Sequence, residues 1–337
     1  MIVVTGSNGF IGSNLIKGLN HLGINNIIAV DDHSNPDTVP NIAHLEIEEK
    51  FGIEDFLHLL IDNKLDNKDI KAIFHQGACS NTMEWNVDYL YKNNLLYSKE
   101  LLRLSSKLRC QFIYASSASV YGSGQRFKEK IENENPINLY AYSKFKFDQI
   151  VRKELTKKTN QIVGLRYFNV YGPHEQHKGN MASVAFHFHN QLKKDNKIKL
   201  FEGSDKFDDG EQKRDSIYVD DVVKVNLWFL QNEEISGIYN LGTGKSQTFN
   251  EVAKAVIDWN KKGEISYIKF PENLKGAYQS YTEADITSLR NAGYTEPFFN
   301  VQEGVIDYLS KLESWPKNEQ NLNCIGKKLK YLFHVGT

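Results

Sequence analysis

The chain has 337 residues, 41 of them basic and 42 acidic, so no global field would draw it to nucleic acid. No apolar run approaches the roughly 18 residues that a membrane-spanning helix needs. Cys79, Cys110 and Cys324 are widely spaced and odd in number, so they predict neither a disulfide framework nor a metal site. The first predicted strand begins at residue 2 and leaves no room for a signal peptide. We therefore expect a soluble, cytoplasmic α/β protein with one large domain and a smaller one.

The first twelve residues predict a dinucleotide-binding turn. A β-branched run, Ile2–Val4, leads into Gly6-Ser-Asn-Gly9-Phe-Ile-Gly12 and then into apolar residues at helical spacing. In such a unit the first glycine permits the tight turn, the second lets the backbone approach a pyrophosphate, and the third lets the helix pack closely. The pair Asp31-Asp32 ends the next strand about twenty residues on, where an acidic residue binds ribose hydroxyls. An ordinary βα turn is the alternative.

Strands and helices are predicted to alternate over the first 170 residues. The strands are 2–4, 27–30, 72–74, 112–115 and 162–167, and the helices follow Gly12, span 51–65 and 85–107, and follow Pro136. This alternation is typical of a doubly wound, Rossmann-like parallel sheet. The ligand crevice of such a sheet lies at the carboxyl ends of its strands.

The pattern changes beyond residue 172. It predicts a helix over 181–192, a charged loop over 205–215, a helix over 219–230, a last sheet strand over 238–241, and then helices mixed with short strands. We expect a dinucleotide-binding domain of residues 1–172, to which 216–242 returns, a smaller C-terminal substrate-binding lobe of 173–215 and 243–315, and an extension of 316–337. The extension could be solvated, or its lysines could contact a membrane surface or a partner subunit.

Two serines after a strand, with a tyrosine and a lysine four residues apart in the next helix, indicate acid–base chemistry. Ser116-Ser117 follows the fourth strand, and Tyr140 and Lys144 lie in the helix after Pro136. Residues four apart share one helical face, so the ammonium group can lie beside the phenol. A tyrosine with an ordinary pKa near ~10 needs about 4 kcal/mol of differential stabilisation to act as a base near neutrality. A close lysine and a cationic nicotinamide could supply it.

Spacing does not choose the catalytic pair. Tyr142 and Lys146 have the same separation as Tyr140 and Lys144, and a chain with 17 tyrosines and 41 basic residues is expected to contain chance pairs. Both pairs therefore remain open at this point.

Three motifs together resemble the extended short-chain dehydrogenase/reductases that act on nucleotide sugars. They are Thr5-Gly-Ser-Asn-Gly-Phe-Ile-Gly12, Ser117-Ala-Ser-Val-Tyr-Gly122 and Tyr140-Ala-Tyr-Ser-Lys144. In that family the lysine follows a serine, which selects Tyr140 and Lys144. The serine before Ala118 matches the catalytic one, which favours Ser117.

Longer blocks resemble one group within that family, the ADP-L-glycero-D-manno-heptose 6-epimerases. The blocks span 75–80, 82–85, 166–173, 177–187, 200–204 and 241–244. The block around Lys178 is the most specific, because generic members of the family lack it.

The resemblance implies an epimerase that serves lipopolysaccharide core biosynthesis. NADP would oxidise C6 of ADP-D-glycero-D-manno-heptose to a transient 6-keto intermediate, and the same hydride would return to the other face. Inversion suggests an acid/base group on each side of the carbon. Tyr140 matches one and Lys178 the other, with a solvated lysine as the alternative for Lys178. The family also implies a homo-oligomer, a pentamer.

The resemblance also implies binding residues. Those for the cofactor are Gly6, Gly9, Phe10, Ile11, Gly12, Asp31, Asp32, His75, Gln76, Gly77, Ala78, Cys79, Asn93, Lys144, Val170 and Lys178. Those for the substrate are Asn169, Asn180, His187, Phe201, Glu202, Gly203, Ser204, Arg214 and Tyr278. A structural role at a strand end is the alternative for His75, and burial against a neighbouring loop is the alternative for Asn93 and its neighbour Asn94.

The sequence departs from the family at the cofactor. Family members have lysines near the positions of Thr38 and Ile53, and Asp31-Asp32 would ordinarily repel a 2′-phosphate and favour NAD. The family nevertheless uses NADP with an acidic residue there, so we expect NADP, with NAD as the alternative. Asn180 replaces an expected serine, and the loop before Arg214 is longer than usual.

Two other functions remain open. Another nucleotide-sugar epimerase or a dehydratase would share the fold, although a dehydratase usually has Asp-Glu where Ala118-Ser119 stands. A non-catalytic dinucleotide-binding sensor would not need Ser117, Tyr140 and Lys144.

Overall fold

Thirteen strands and ten α-helices are present in the computed structural model, which describes residues 1–65, 68–271 and 279–314. The strands are β1 (Ile2–Thr5), β2 (Ile27–Val30), β3 (Glu49–Phe51), β4 (Ala72–His75), β5 (Gln111–Ser117), β6 (Ile162–Tyr167), β7 (Asn169–Tyr171), β8 (Lys197–Phe201), β9 (Lys213–Arg214), β10 (Ser216–Tyr218), β11 (Gly237–Leu241), β12 (Gln247–Thr248) and β13 (Glu264–Ile268). The helices are α1 (Phe10–His21), α2 (Ile53–Ile61), α3 (Val87–Leu90), α4 (Tyr97–Leu108), α5 (Leu139–Leu155), α6 (Val184–Asp195), α7 (Val219–Gln231), α8 (Phe249–Asn260), α9 (Thr287–Asn291) and α10 (Val301–Ser314).

Seven strands form one parallel sheet in the order β11-β6-β5-β4-β1-β2-β3. The strand order reverses between β1 and β4, which is where ligands bind in sheets of this kind. The predicted doubly wound parallel sheet is confirmed.

Helices cover both faces of this sheet, and an apolar cluster fills each interface. One cluster joins α1 and α7 to the sheet, and the other joins α2, α4 and α5 to the opposite face. Every residue of β1, β2, β4 and β6 is buried, as the continuous β-branched and aromatic runs predict.

A third apolar cluster lies mostly beyond residue 172. It joins β8 to α6, α8 and α10 and includes Phe188, Val256 and Val305. Two small strand pairs, β8–β13 and β9–β12, stand beside it. No helix within the described residues is long and apolar enough to span a membrane.

Four predicted elements differ from the structure. Phe51 was expected in a helix but pairs with Val30 in β3, so α2 begins at Ile53. The helix expected over 85–107 begins at Val87 and contains a π-helical turn between α3 and α4. The helix expected from Met181 begins at Val184, after a 3₁₀ turn (Gln176–Met181) and a Ser183 cap. The end of the charged loop over 205–215 forms β9, which pairs with β12.

Candidate active site

A cavity of about 460 Å³ lies at the carboxyl ends of β1, β2, β4 and β5. Its walls include fifteen of the predicted cofactor residues: Gly6, Gly9, Phe10, Ile11, Gly12, Asp31, Asp32, Gln76, Gly77, Ala78, Cys79, Asn93, Lys144, Val170 and Lys178. His75 is the exception. The cavity lies at the reversal of strand order, so the topology and the sequence motif identify the same place.

The glycine turn leaves room for a ligand because three backbones meet there without side chains. Gly6 has φ +68°, and a Cβ on it would lie 2.6 Å from the Gly77 nitrogen. A Cβ on Gly12 would lie 2.0 Å from the Gly6 carbonyl oxygen. No side chain caps α1 at Gly9, so the helix presents its N-terminal end to the cavity. This cradle fits the pyrophosphate of a dinucleotide.

Two carboxylates border the cavity beside this turn. One oxygen of Asp31 accepts a hydrogen bond from the Asn8 backbone N–H at 2.8 Å, and the other accepts from the Asp32 N–H. Hydrogen bonds from Ser34 lower the pKa of Asp32. Acceptors at this edge suit the hydroxyl groups of a ribose.

His75, for which a contact with the cofactor was expected, is not on the cavity wall. Its side chain is buried, with one ring nitrogen 2.7 Å from the Thr5 hydroxyl and the other 2.8 Å from the Ser98 hydroxyl. Burial lowers the pKa of His75 to about 3. Both ring nitrogens are used within the protein, so the imidazole joins β1 to β4 and α4 behind the cavity.

The two adjacent asparagines have different roles. Asn94 is buried and exchanges hydrogen bonds with the backbone of Cys79, at 2.8 and 3.0 Å. Asn93 lines the cavity. The π-helical turn shifts the helical register here, and such turns occur frequently at functional sites.

A second cavity, of about 620 Å³, lies between β7, α6, α8 and α10. The predicted substrate residues on its walls are Asn169, His187, Phe201 and Arg214. Asn180, Glu202, Gly203 and Ser204 are not on its walls, and Tyr278 lies outside the described residues. Ser204 instead accepts a hydrogen bond from Gln212, which does line the cavity. The turn of residues 202–204 therefore supports the wall from behind.

The two cavities meet at a shared wall. Seven residues line both of them: Ser80, Ser117, Tyr140, Phe168, Val170, Lys178 and Met181. Three of the four predicted catalytic residues are in this set, and Lys144 lines the first cavity beside them. A group bound in one cavity can therefore meet a group bound in the other at these residues.

Tyr140 is half-buried near the beginning of α5, which Asn138 caps. Burial raises the pKa of Tyr140, and a hydrogen bond with Ser117 opposes this effect. Lys144 is buried one turn later, donates to the Ala115 carbonyl at 2.7 Å, and has its pKa lowered by burial to about 8. Tyr142, the tyrosine of the rival pair, is 47% exposed and lines neither cavity. Tyr140 and Lys144 therefore lie on the cavity walls, whereas Tyr142 does not.

The two serines after β5 also differ in their surroundings. Ser117 accepts hydrogen bonds from the backbone N–H and the hydroxyl of Ser119, at 3.2 and 2.9 Å, and lines both cavities. Ser116 donates to the buried carboxylate of Asp148, which also binds Arg166. Ser116 also lines the first cavity, but its hydroxyl is used in this buried polar network, and only Ser117 lies on the wall that the two cavities share.

Lys178 lies in the 3₁₀ turn before α6. Its side chain is 23% exposed, its Nζ lies 5.0 Å from the centre of the Phe10 ring, and 3.9 Å from Oε2 of Glu175. Burial lowers the pKa of Lys178, and Glu175 opposes this effect. The position is the partly enclosed one that a reactive lysine requires, which differs from the solvated alternative.

Several wall residues carried no sequence signal. In the first cavity these include Asn35 and Tyr89, and in the second Gln247 and Phe249. The Phe249 ring lies 5.8 Å from the Arg214 guanidinium. β12, which pairs with β9, brings this ring to Arg214 from a distant part of the sequence.

A family model described as the NAD dependent epimerase/dehydratase family matches residues 2–242. The chain belongs to this family. An ADP-L-glycero-D-manno-heptose-6-epimerase of Thiobacillus denitrificans is 50% identical over 325 residues, which cover 92% of the chain and 98% of the relative. The predicted resemblance to the heptose epimerases is thereby confirmed.

Solved structures of this family share the fold. The ADP-L-glycero-D-manno-heptose-6-epimerase of Helicobacter pylori has a TM-score of 0.79 at 30% identity, covering 93% of the chain and 96% of that structure. The UDP-glucose 4-epimerase of Thermotoga maritima, solved with UDP-glucose, has a TM-score of 0.77 at 26% identity, covering 93% and 98%. These two epimerases differ in the nucleotide sugar named for them.

Proposed function

We propose that this protein inverts C6 of ADP-D-glycero-D-manno-heptose to give ADP-L-glycero-D-manno-heptose, a step of lipopolysaccharide core biosynthesis. The observation that carries the proposal is the wall shared by the two cavities, where Tyr140 and Lys178 stand between a dinucleotide cradle and a second chamber. The relative with 50% identity supports the choice of substrate.

The dinucleotide is held by the glycine cradle, Asp31-Asp32 and Lys144. When bound, its nicotinamide supplies the reversible oxidation of the sugar carbon. Asn169, His187 and Arg214 bind and orient the nucleotide sugar in the second cavity. Arg214 suits the diphosphate, because a guanidinium fork pairs with two oxygens.

Tyr140 moves a proton at the C6 hydroxyl oxygen. Ser117 donates a hydrogen bond to the same oxygen and orients it. Lys144 is buried one helical turn away, and its ammonium group favours the phenolate form of Tyr140. Because burial lowers the pKa of Lys144 to about 8, this assistance is present well below pH 8 and is lost as the pH rises through that value.

Lys178 serves the opposite face of the carbon. Inversion requires the oxygen to change sides, so a second acid–base group must meet it there. Lys178 lines both cavities as Tyr140 does, and its partly buried ammonium group can give and recover a proton.

The identity of the cofactor is a separate proposal. The family is described as NAD dependent, and at the Asp31-Asp32 edge the wall residues Asn35, Thr38 and Ile53 carry no positive charge. A 2′-phosphate would meet two carboxylates there, which favours NAD; NADP, implied by the heptose epimerases, stays a prediction. Denaturing the purified protein and analysing the released dinucleotide by mass spectrometry decides between them.

We also propose the expected residue roles and the division into a dinucleotide-binding domain and a substrate lobe. We further propose a cytoplasmic location and a homo-oligomer, for which the heptose epimerases imply a pentamer. Light scattering of the purified protein measures the oligomeric state. The extension of residues 316–337 lies outside the described residues.

The substrate assignment is tested with two nucleotide sugars. Purified protein, without added cofactor, is incubated with ADP-D-glycero-D-manno-heptose or with UDP-glucose, and the products are identified by NMR. We expect the L-glycero epimer from the first and no UDP-galactose from the second. If UDP-glucose is converted and ADP-heptose is not, also after addition of NAD or NADP, the result would favour another epimerase of the family. Turnover of neither sugar would favour the sensor.

A further inference from the structure

A buried carboxylate lies directly behind Lys178. The side chain of Glu175 is 0% exposed, and its Oε2 lies 3.9 Å from the Lys178 ammonium nitrogen. This distance is an ion-pair contact rather than a hydrogen bond, so the three donors of the ammonium group can point toward the cavities. The acid–base chemistry described above gives Glu175 no role.

Neighbouring groups fix the Glu175 carboxylate. Oε2 accepts from the Ser183 backbone N–H at 2.6 Å, and Oε1 accepts from the Ser183 hydroxyl at 2.7 Å and from the Gly172 N–H at 3.3 Å. Ser183 is the N-cap of α6, whose positive end attracts a negative charge. The carboxylate is thus held in one orientation by the strand end after β7 and by the helix that carries His187.

The ring of Phe10 completes the support of the lysine. The Lys178 nitrogen lies 5.0 Å from the ring centre, within the range of a cation–π contact. A carboxylate and an aromatic face both favour a positive charge, and both limit where the ammonium group can lie. Burial disfavours the charged form of Lys178, and the Glu175 carboxylate counteracts this effect by stabilising the ammonium group.

We propose that Glu175 is a positioning residue for Lys178, whose ammonium group it holds at the shared wall of the two cavities and keeps charged. This role of Glu175 rests on the proposed function, in which Lys178 is the second acid–base group. Glu175 also connects the 3₁₀ turn that carries Lys178 to α6, because its carboxylate binds the Ser183 cap of that helix.

The other titratable groups around this pair do not confuse the test between pH 7 and 10. They are His174 and His177 on the same loop, Tyr140 on α5 and Tyr308 on α10. Burial lowers the pKa of both histidines below 6.5 and raises the pKa of both tyrosines above 10.0. Lys144 does titrate in this range, but it lies on a different tryptic peptide.

The test measures the charge of Lys178 without requiring turnover. Holoenzyme is treated with trace acetic anhydride at a series of pH values, and acetylation of Lys178 is quantified by peptide mass spectrometry. In Glu175→Gln, which keeps the size and an acceptor oxygen, we expect the labelling midpoint to move to lower pH. Ser183→Ala is the matched control, because it removes hydrogen bonds from the same network and keeps the carboxylate, so its midpoint should move less than that of Glu175→Gln.

Turnover provides the second readout. The pH–rate profile of Glu175→Gln should lose its basic side at lower pH than the wild type. Its loss of turnover at neutral pH should be smaller than the roughly 10²-fold or greater loss that removal of an acid–base group gives, as in Lys178→Met. If Glu175→Gln does not fold, Glu175→Asp, which withdraws the charge by one methylene, should give a smaller shift in the same direction.

Unchanged labelling midpoints in Glu175→Gln, or in Glu175→Asp where that variant is used, would overturn the proposal, whatever happens to thermal stability. A shifted midpoint in an enzyme that does not convert ADP-heptose would support the positioning role and reject the proposed function. Conversion of ADP-heptose with an unshifted midpoint would support the proposed function and reject the positioning role of Glu175.

Discussion

Tyr140 and Tyr142 lie two residues apart on α5 and have different environments. Tyr140 lines both cavities, whereas Tyr142 is 47% exposed, with the Lys146 ammonium nitrogen 5.1 Å from its ring centre. Both have a lysine four residues on, so the sequence pattern did not distinguish them. The choice between Tyr140 and Tyr142 depends on which face of α5 packs against β5, and that packing depends on the whole sheet.

Replacement of these tyrosines gives a matched pair of variants. Tyr140→Phe should lower turnover of ADP-heptose by about 10²-fold to 10⁴-fold, because it removes the group that exchanges the proton. Tyr142→Phe should keep wild-type turnover. Initial rates measured by chromatography of the nucleotide sugars check both, and full activity of Tyr140→Phe would show that another residue moves the proton.

His75 illustrates what local sequence leaves out. A histidine at a strand end is equally compatible with a ligand contact and with a structural role. The deciding partners, Thr5 and Ser98, come from β1 and α4, 70 residues before it and 23 residues after it in the sequence. The same limit applies to Asn180, since a block typical of a family identifies a region more securely than it identifies each contact.

At the scale of elements, buried strands were the most predictable. The predicted limits of β2 and β6 agree with the structure, because each is a short, mostly apolar run buried on both faces. β3 was missed because Glu49-Lys50-Phe51 has no strand pattern of its own and pairs with β2 at the sheet edge. The π-helical turn was missed because periodicity of 3.6 residues does not reveal one extra residue in a turn.

The contact of α1 with the glycine turn can be tested with one methyl group. In Gly12→Ala the new Cβ would lie 2.0 Å from the Gly6 carbonyl oxygen, so α1 or the turn must move. We expect loss of the bound dinucleotide and a decrease of about 1–3 kcal/mol in the free energy of unfolding.

Gly52→Ala serves as the control, since its Cβ would meet a side-chain oxygen of Asp55 at 3.2 Å. That side chain is free to adjust, so the variant should retain its dinucleotide. Dinucleotide absorbance per protein and urea unfolding measure both effects. Retention of the dinucleotide by Gly12→Ala would show that the turn tolerates a displaced helix.

At the scale of the whole molecule, the alternation of strands and helices predicted the parallel sheet and the reversal of its strand order. It did not predict which residues form the site. Its shared wall joins Phe168 and Lys178 to Tyr140 on α5 and Ser80 after β4. These segments are brought together by strand order, which spacing along the sequence does not encode. Family resemblance supplied most of the site residues that sequence reasoning found.

The buried histidines make the stability of the whole molecule depend on pH. Burial lowers the pKa of His75 and of His174 to about 3, below the value of 6.5 expected in the unfolded chain. Between these values the unfolded state binds protons that the folded state does not bind. The contribution of these two histidines to stability is therefore complete above pH 6.5 and is lost as the pH falls toward 3.

Each histidine should contribute about 1.4 kcal/mol per pH unit to this loss. In His75→Gln the slope of the unfolding free energy between pH 6 and 4 should be less steep than in the wild type by about that amount. Urea unfolding at several pH values measures it. Equal slopes in the two proteins would show that His75 becomes charged inside the folded protein.

The most direct test of the proposed function follows one hydrogen atom. ADP-D-glycero-D-manno-heptose with deuterium at C6 is incubated with purified protein in ordinary water, and the product is analysed by NMR. We expect the L-glycero epimer with deuterium still at C6, because one enclosed site removes the hydrogen and returns it to the other face. An L-glycero product in which deuterium has been replaced by solvent hydrogen, or no epimer at all, would contradict an oxidation and reduction carried out at the shared wall of the two cavities.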